Sequence, residues 1–259
     1  MISLPHAPDP SRLADTRARL DAALKIFKDT DAAPLLALTS EQRILLALLE
    51  HAEGARPVET VARIREGLVS FSAALEKGHQ PEPREVWDHF LEALAINDIS
   101  HAQLIASTPT ELWEKPLNLA LYPRMFQLKA VIALLHHDEG ESARWIGSCY
   151  AAAFEDQPTE ATKFELEDLR NMHQVLAALH KKAATAFHTA MQQRMTLRAV
   201  SFSRNGRNSP LGFIDLHGLG LCALARDRGM TVTVRHVYLP LELLDAAGKQ
   251  PRDGSIDRK

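Results

Sequence analysis

The sequence predicts an all-α fold: a multi-helix bundle or stack of helical hairpins, with one short extended segment near its C-terminal end. Three observations carry this. Apolar residues recur every three or four positions along almost the whole chain, the spacing that gives a helix one buried stripe. Proline and glycine break these runs at intervals that suit helical hairpins. β-Branched alternation occurs in one place, Thr231-Val232-Thr233-Val234, and a lone strand makes no sheet.

Taken in order, Ser11 to Lys28 carries Leu13, Leu20, Leu24 and Phe27 at helical spacing. Thr39-x-x-Gln42 has the form of a capping box ahead of ILLALLEHA, so a helix is expected to start there. Pro57 suits the first position of a helix through Val61, Ile64, Leu68, Phe71 and Leu75, with Gly78 as its stop. After Pro81 and Pro83 the period resumes through Val86, Phe90, Leu91 and Leu94, and a connection interrupted by Pro109 and Pro116 follows. Pro123 to Asp138 is apolar nearly all round, which places it in the middle of the molecule. Ser142 to Phe154 and Pro158 to Val200 are helical, the second as two helices broken near Lys181 to Ala184.

SFSRNGRNSPLGF, residues 201 to 213, reads as a turn-rich loop. Beyond it Asp215 is placed to cap a helix from Leu216 to Arg228, with Gly229 as its left-handed end. Residues 1 to 247 are thus expected to form one helical domain, and the polar stretch from 248 to 259 a disordered tail.

Composition narrows the function. Thirty Lys and Arg against thirty-three Asp and Glu leave a formal charge of −3, too weak a field to attract nucleic acid or an anionic membrane by itself. Cys149 and Cys222 are the only cysteines and form no C-x-x-C pair, as suits a reducing compartment. The N-terminal stretch lacks a basic segment leading into an apolar run, and Asp9 and Asp15 count against a transit peptide. The strongest apolar window, Leu128 to Leu135, is far short of the ~20 residues that cross a bilayer. A cytoplasmic protein is expected.

One motif invites an enzyme. Gly218-Leu219-Gly220-Leu221-Cys222-Ala223 fits G-x-G-x-x-G/A, the loop that cradles a dinucleotide pyrophosphate. Such a loop needs a strand before it, parallel neighbours beside it and an acid about 20 residues on. Here the preceding strand is meagre and that later position offers Arg235, His236 and Tyr238, so the glycines are read as helix packing and no cofactor is expected. Gly218, Cys222 and Ala225 share a stripe where a second helix can approach. His136-His137-Asp138-Glu139 reads as a solvated helix end, and His173 and His180 as surface side chains two turns apart. No metal ligand set or catalytic set emerges.

Charge is unevenly spread. Glu155, Asp156, Glu160, Glu165, Glu167 and Asp168 crowd one segment against Lys163 alone. From Leu169 to Ile214 there is no acid, only Arg170, Lys181, Lys182, Arg194, Arg198, Arg204 and Arg207. The basic run could form a phosphate-tracking face, the alternative reading being a helical nucleic-acid-binding or adaptor module, but few aromatics are interleaved for base stacking. The acidic run could meet a basic protein partner, such as a nuclease.

HQVLAALHKKAATAFHTAMQQRM, the loop after it, and FIDLHGLGLCALARDRGMTVTVRHVYLPLELL together resemble immunity protein family 49 of bacterial polymorphic toxin systems. The resemblance rests on Asp215-Leu216, the small and apolar GLGLCALA, the stop from Arg226 to Gly229, and Tyr238-Leu239-Pro240 followed by Leu243-Leu244, behind a hairpin around Leu176, Leu179, Phe187 and Met191. It extends over residues 120 to 245. It implies packing roles for Asp215, Gly218, Gly220, Ala223, Gly229, Tyr238, Leu239 and Pro240. It also implies a non-enzymatic protein that binds a cognate toxin domain and occludes its active surface. For the toxin contact, the sequence points to the acids Glu155, Asp156, Glu160, Glu165, Glu167 and Asp168, with Arg204 and Arg207 as the alternative.

Overall fold

Proline starts three of the early helices and a left-handed residue ends most of them, so the chain turns back on itself at short intervals. The computed structural model describes residues 10–27, 30–108, 122–155, 163–205 and 212–248. Among these, α1 (Pro10–Phe27), α2 (Ala33–Ala52), α3 (Pro57–Glu76), α4 (Pro83–Ala95) and α5 (Ile99–Ala106) form the first half. The second half holds α6 (Tyr122–Leu135), α7 (Glu139–Tyr150) running into a π-helical turn (Ala151–Glu155), α8 (Lys163–His180), α9 (Ala184–Asn205), α10 (Leu216–Asp227) and α11 (Glu242–Gly248). No strand occurs among the described residues, only an isolated bridge between His236 and Leu239.

Six helix ends share one device. Gly54, Gly78, Asn97, His137, Lys182 and Gly229 take positive φ, and after each the next amide bonds back to a carbonyl five residues earlier at 2.8–2.9 Å, which satisfies an orphan carbonyl of the last turn. The glycines adopt this backbone without strain, whereas Asn97, His137 and Lys182 are held in it by the helices they join.

Neighbouring helices pair as hairpins: α1 with α2, α2 with α3, α6 with α7, and α8 with α9. The last two helices then return to the first half, α10 packing on α4 and α11 on α3. One apolar core therefore runs from Leu20 to Ala247, with Phe71, Phe90 and Phe187 fully enclosed. In α6 no residue from Met125 to Leu135 is exposed, as its uniform apolar surface predicts.

Several expectations need correction. α2 begins at Ala33, with Pro34 in its first turn; Thr39 is interior and its hydroxyl donates to Leu35 O at 2.8 Å, so it caps nothing. α9 continues to Asn205, past the expected start of the loop, and residues 206 to 211 lie outside the described residues. The short helices α5 and α11 have too few turns to show a period; Asp98 caps the first by accepting from His101 N at 3.3 Å, and Leu243, Leu244, Ala246 and Ala247 bury the second. Thr231 to Val234 forms no strand; His188 Nε2 lies 3.0 Å from Thr231 O and 3.3 Å from Thr233 N, with Val232 and Val234 buried and both threonines exposed. The connection at Pro109 and Pro116 and the tail beyond Gly248 lie outside the described residues.

Two details hold the returning C-terminal segment. Arg228, its side chain fully enclosed, donates to Leu134 O at 3.3 Å, Leu179 O at 3.0 Å and His180 O at 3.2 Å, and to Glu139 at 2.8 Å. One guanidinium thus meets the carbonyl ends of α6 and α8, where a cation is favoured, and the first turn of α7. Gly220 lies against the α4 backbone: a Cβ there would overlap the Leu91 carbonyl oxygen, which cannot rotate away.

Gly220→Ala is therefore expected to destabilise the fold by about 1–3 kcal/mol through overpacking. Gly147→Ala, in the exposed interior of α7 with no atom within 4 Å of the added methyl, is expected to stabilise it by about 0.5–1 kcal/mol. Urea denaturation midpoints of the two variants, shifted in opposite directions, check both.

Candidate functional site

Positions 194 and 198 are one helical turn apart on α9, so their side chains leave the same face. That face meets the start of α10, where Phe213, Ile214 and Leu216 bury the chain and carry Asp215 inside with them. The Asp215 carboxylate accepts from Arg194 Nε at 2.9 Å and Nη2 at 3.3 Å, and Arg198 Nη2 lies 3.6 Å away. Asp215 occupies the N-cap position of α10 but its carboxylate makes no cap, because both oxygens are engaged by the arginines. Gly218 makes room for this: a Cβ there would lie 2.7 Å from Asp215 Oδ2 and 2.9 Å from Leu239 Cδ2. The Asp215 amide donates to Tyr238 O at 2.8 Å, tying the Tyr-Leu-Pro turn to the same point.

Burial alone would raise the Asp215 pKa, yet the adjacent Arg194 and Arg198 hold it far below the ordinary carboxylate range. Burial lowers Arg198, with its neighbour Arg194 adding to the effect against Asp215.

These groups form the inner wall of a cleft of about 200 Å³. Trp87 and Asp88 of α4, Arg124 of α6 and Asp168 of α8 complete it, with His217 at its edge. His217 Nε2 lies 3.1 Å from Asp88 Oδ1, its ring stands edge-on to Trp87, and Arg198 Nη2 approaches its Nδ1 at 3.4 Å. Burial would raise Asp88, and His217 and Arg84 bring it below its usual value. A chain of polar contacts through Asp215, Arg198, His217 and Asp88 thus leads from the enclosed Arg194 to the surface at Arg84. It can hold a polar partner group of either sign, but no nucleophile and base are set against a common open point there.

A second hollow, of about 460 Å³, opens on the other side of α4 and shares Arg84, Asp88 and Glu92 with the first. At its base His89 Nδ1 lies 2.7 Å from Glu92 Oε2, both side chains enclosed, with the Phe71 ring 4.0 Å from the imidazole. Burial works against a charged His89, but Glu92, Asp88 and Glu85 outweigh it, so its pKa is raised.

The family model of Immunity protein 49 matches residues 21–243. The chain belongs to this family. No curated protein and no solved structure matches it. The match begins about a hundred residues before the segment in which the motifs are legible. The reason lies in the packing: in this Immunity protein 49 chain α10 and α11 are seated on α4 and α3, so the N-terminal hairpins are the other half of the same core. Those hairpins contribute through generic helical periodicity, which no short motif reveals.

The residues expected to bind a partner are dispersed. Glu155 is exposed at the end of the π-helical turn and Glu165 is exposed on α8, while Glu167 is half-buried beside Arg170 at another hollow. Asp168 turns to the cleft with Arg194. Asp156, Glu160, Arg207 and the Arg204 side chain lie outside the described residues. The basic run does not form one face, because Arg194 and Arg198 are drawn inward to Asp215 while Lys181 and Lys182 are exposed at the α8–α9 corner. Gly218 to Ala223 is helix, packed on its glycines, and offers no open backbone to a pyrophosphate.

Other groups settle into structural contacts. His173 packs edge-on to Tyr150 and Phe154, and His180 Nδ1 lies 2.9 Å from Ser142 Oγ; both are half-buried, since each sits where α8 meets α7 or its π-helical end, and neither is the surface side chain expected. His137 faces Asp227 and Glu139 faces Arg228, so the His136 to Glu139 cluster separates among different partners. Cys149 and Cys222 are free, and burial pushes both thiols up to about 12.

The arginine pair, Trp87, Asp88 and His217 were not anticipated as a group. A signal existed: Asp215 is the first acid after the acid-free stretch from Leu169, and it sits between Ile214 and Leu216. A buried acid so placed requires a cation, and the preceding helix supplies only Arg194 and Arg198 at helical spacing.

Asp215→Asn leaves Arg194 enclosed without its counter-ion and is expected to cost about 3–5 kcal/mol, against less than about 1 kcal/mol for Asp168→Asn at the half-exposed rim. Chemical denaturation of both variants checks the contrast. The His89–Glu92 pair contributes stability that is present below about pH 6.5 and is lost as pH rises through the raised value of His89. Between pH 6 and pH 9 the urea midpoint of the wild type should therefore fall further than that of the neutral double variant His89→Gln/Glu92→Gln.

Proposed function

We propose that this chain is an immunity protein that binds a cognate bacterial toxin domain in the cytoplasm and neutralises it by covering its active surface. The observation that carries the reading is the family match across residues 21–243. Coverage requires no chemistry from the binder. It requires a surface that keeps its shape, and helices locked by left-handed corners and a continuous core supply one with little ordering cost on binding. The same continuous core supports reading residues 1 to 247 as one domain. A standard interface, of about 1,600 Å² in total, would span several of these helices. No helix among the described residues is long and apolar enough to cross a membrane.

A toxin that acts on nucleic acid presents a basic surface, and carboxylates on this chain would complement it. A nucleic-acid-binding role for the chain itself is less well supported, since two of its basic residues are consumed internally by Asp215.

Co-expression supplies the test. The toxic C-terminal domain encoded next to this gene should kill cells when expressed alone, spare them when this chain is present, and co-elute with it on gel filtration. Absence of both rescue and complex would overturn the reading.

A further inference from the structure

The two hollows on either side of α4 differ in character. The cleft against α10 is walled by charges of both signs that largely satisfy one another. The hollow between α2 and α4 is lined by apolar Pro34, Ala37, Leu38, Ile44 and Leu45 and by the carboxylates of Glu41, Glu82, Glu85 and Asp88, with Glu92 enclosed at its base. Against these five carboxylates stand Arg84, His79 and His89, so the local charge is negative even with both imidazoles protonated.

Most of the rim is already oriented from within. His79 holds Glu85 at 3.2 Å, Arg84 holds Asp88 at 3.5 Å, and His89 holds Glu92 at 2.7 Å. Glu41 and Leu38 are different. Both are exposed at the mouth, Leu38 by 44%, and the Glu41 carboxylate makes no ion pair or hydrogen bond among the described residues. An apolar lining under a net negative rim, with one unpaired carboxylate at the entrance, fits a side chain with an apolar stem and a cationic head. The stem lies along Leu38 and Leu45, and the head reaches the carboxylates. Its volume, about 460 Å³, falls in the range of ordinary ligand pockets.

We infer that the α2–α4 groove is the docking site for an arginine- or lysine-bearing segment of the toxin, making this groove, rather than the acidic stretch at Glu155, the anchor of the interface. The inference rests on the immunity reading for the identity of the partner. Its chemistry can be tested separately. Arginine, with its planar fork, is the better fit to paired carboxylates, and such an anchor would be a hot spot ringed by weaker contacts.

Two arms decide it, both using the full chain. In the first, amide chemical shifts are followed during titration with the blocked dipeptide acetyl-Leu-Arg-amide and, separately, acetyl-Leu-Glu-amide. The arginine peptide should shift α2 and the first turns of α4 saturably, with an effect that weakens as salt rises, and the glutamate peptide should not. Shifts elsewhere, no saturation, or equal response to both peptides would overturn the groove. In the second arm, Leu38→Lys, Glu41→Lys and Glu155→Lys are compared with the wild type in affinity for the neighbouring toxin domain and in rescue. The first two replace exposed side chains and should leave the thermal melt unchanged while weakening the complex at least tenfold; Glu155→Lys should bind as the wild type does. If the wild type binds and rescues but the groove variants do so equally well, the groove is not the anchor. A wild type that neither binds nor rescues refutes the immunity reading instead, and the peptide arm then decides the groove alone.

Discussion

The enclosed ion pair of Arg194 and Asp215 is the constraint around which the C-terminal half is arranged. Moving two charges out of water is costly, and their attraction offsets the cost only when both ends are well bonded. Two bonds from Arg194 and the approach of Arg198 provide that, and Gly218 provides the space. A pair of this kind does little for net stability compared with an apolar substitute, but it tolerates few registers. Sliding α10 along α4 by one turn would strand a carboxylate in the core. The angle at which α10 returns to α4 is thereby specified, and with it the shape of the cleft between them.

Much of the architecture was visible in residue spacing because helices with one apolar stripe repeat it many times. α3, α4, α8 and α10 lie close to where their proline, glycine and leucine positions place them. What spacing conveyed poorly was anything decided by a single contact between distant segments. Asn97, His137 and Lys182 adopt left-handed backbones where no glycine marks the turn. Thr39 has the letters of a cap but lies inside a helix begun by Pro34. Asp215 stands in the right place for a cap yet serves a longer-range electrostatic need, and the basic run that suggested an outward face is partly an internal counter-charge. The candidate site was less legible than the fold for the same reason: its two walls come from α4 and α10, which no local pattern connects.

Family membership and structure bear on different questions. The first identifies the class of protein; the second shows which surfaces are concave, which charges are spent inside and which remain available. The two hollows share Arg84, Asp88 and Glu92 but differ in balance, the cleft against α10 holding charges of both signs and the hollow beside α2 an excess of carboxylates. A binding protein so built can vary Leu38 and Glu41, which line only the hollow beside α2, for a new partner while leaving the ion pair untouched.

Arg228 carries a consequence for how the chain is made. Its bond to Leu134 O joins residues 94 positions apart, and through it the ends of α6 and α8 are closed by a group translated long after they are. At ~5–20 residues per second, roughly 5–20 s pass on the ribosome before that guanidinium exists. During this interval the C-terminal end of α6 relies on the left-handed turn at His137, and α4 lacks the partner that α10 later provides.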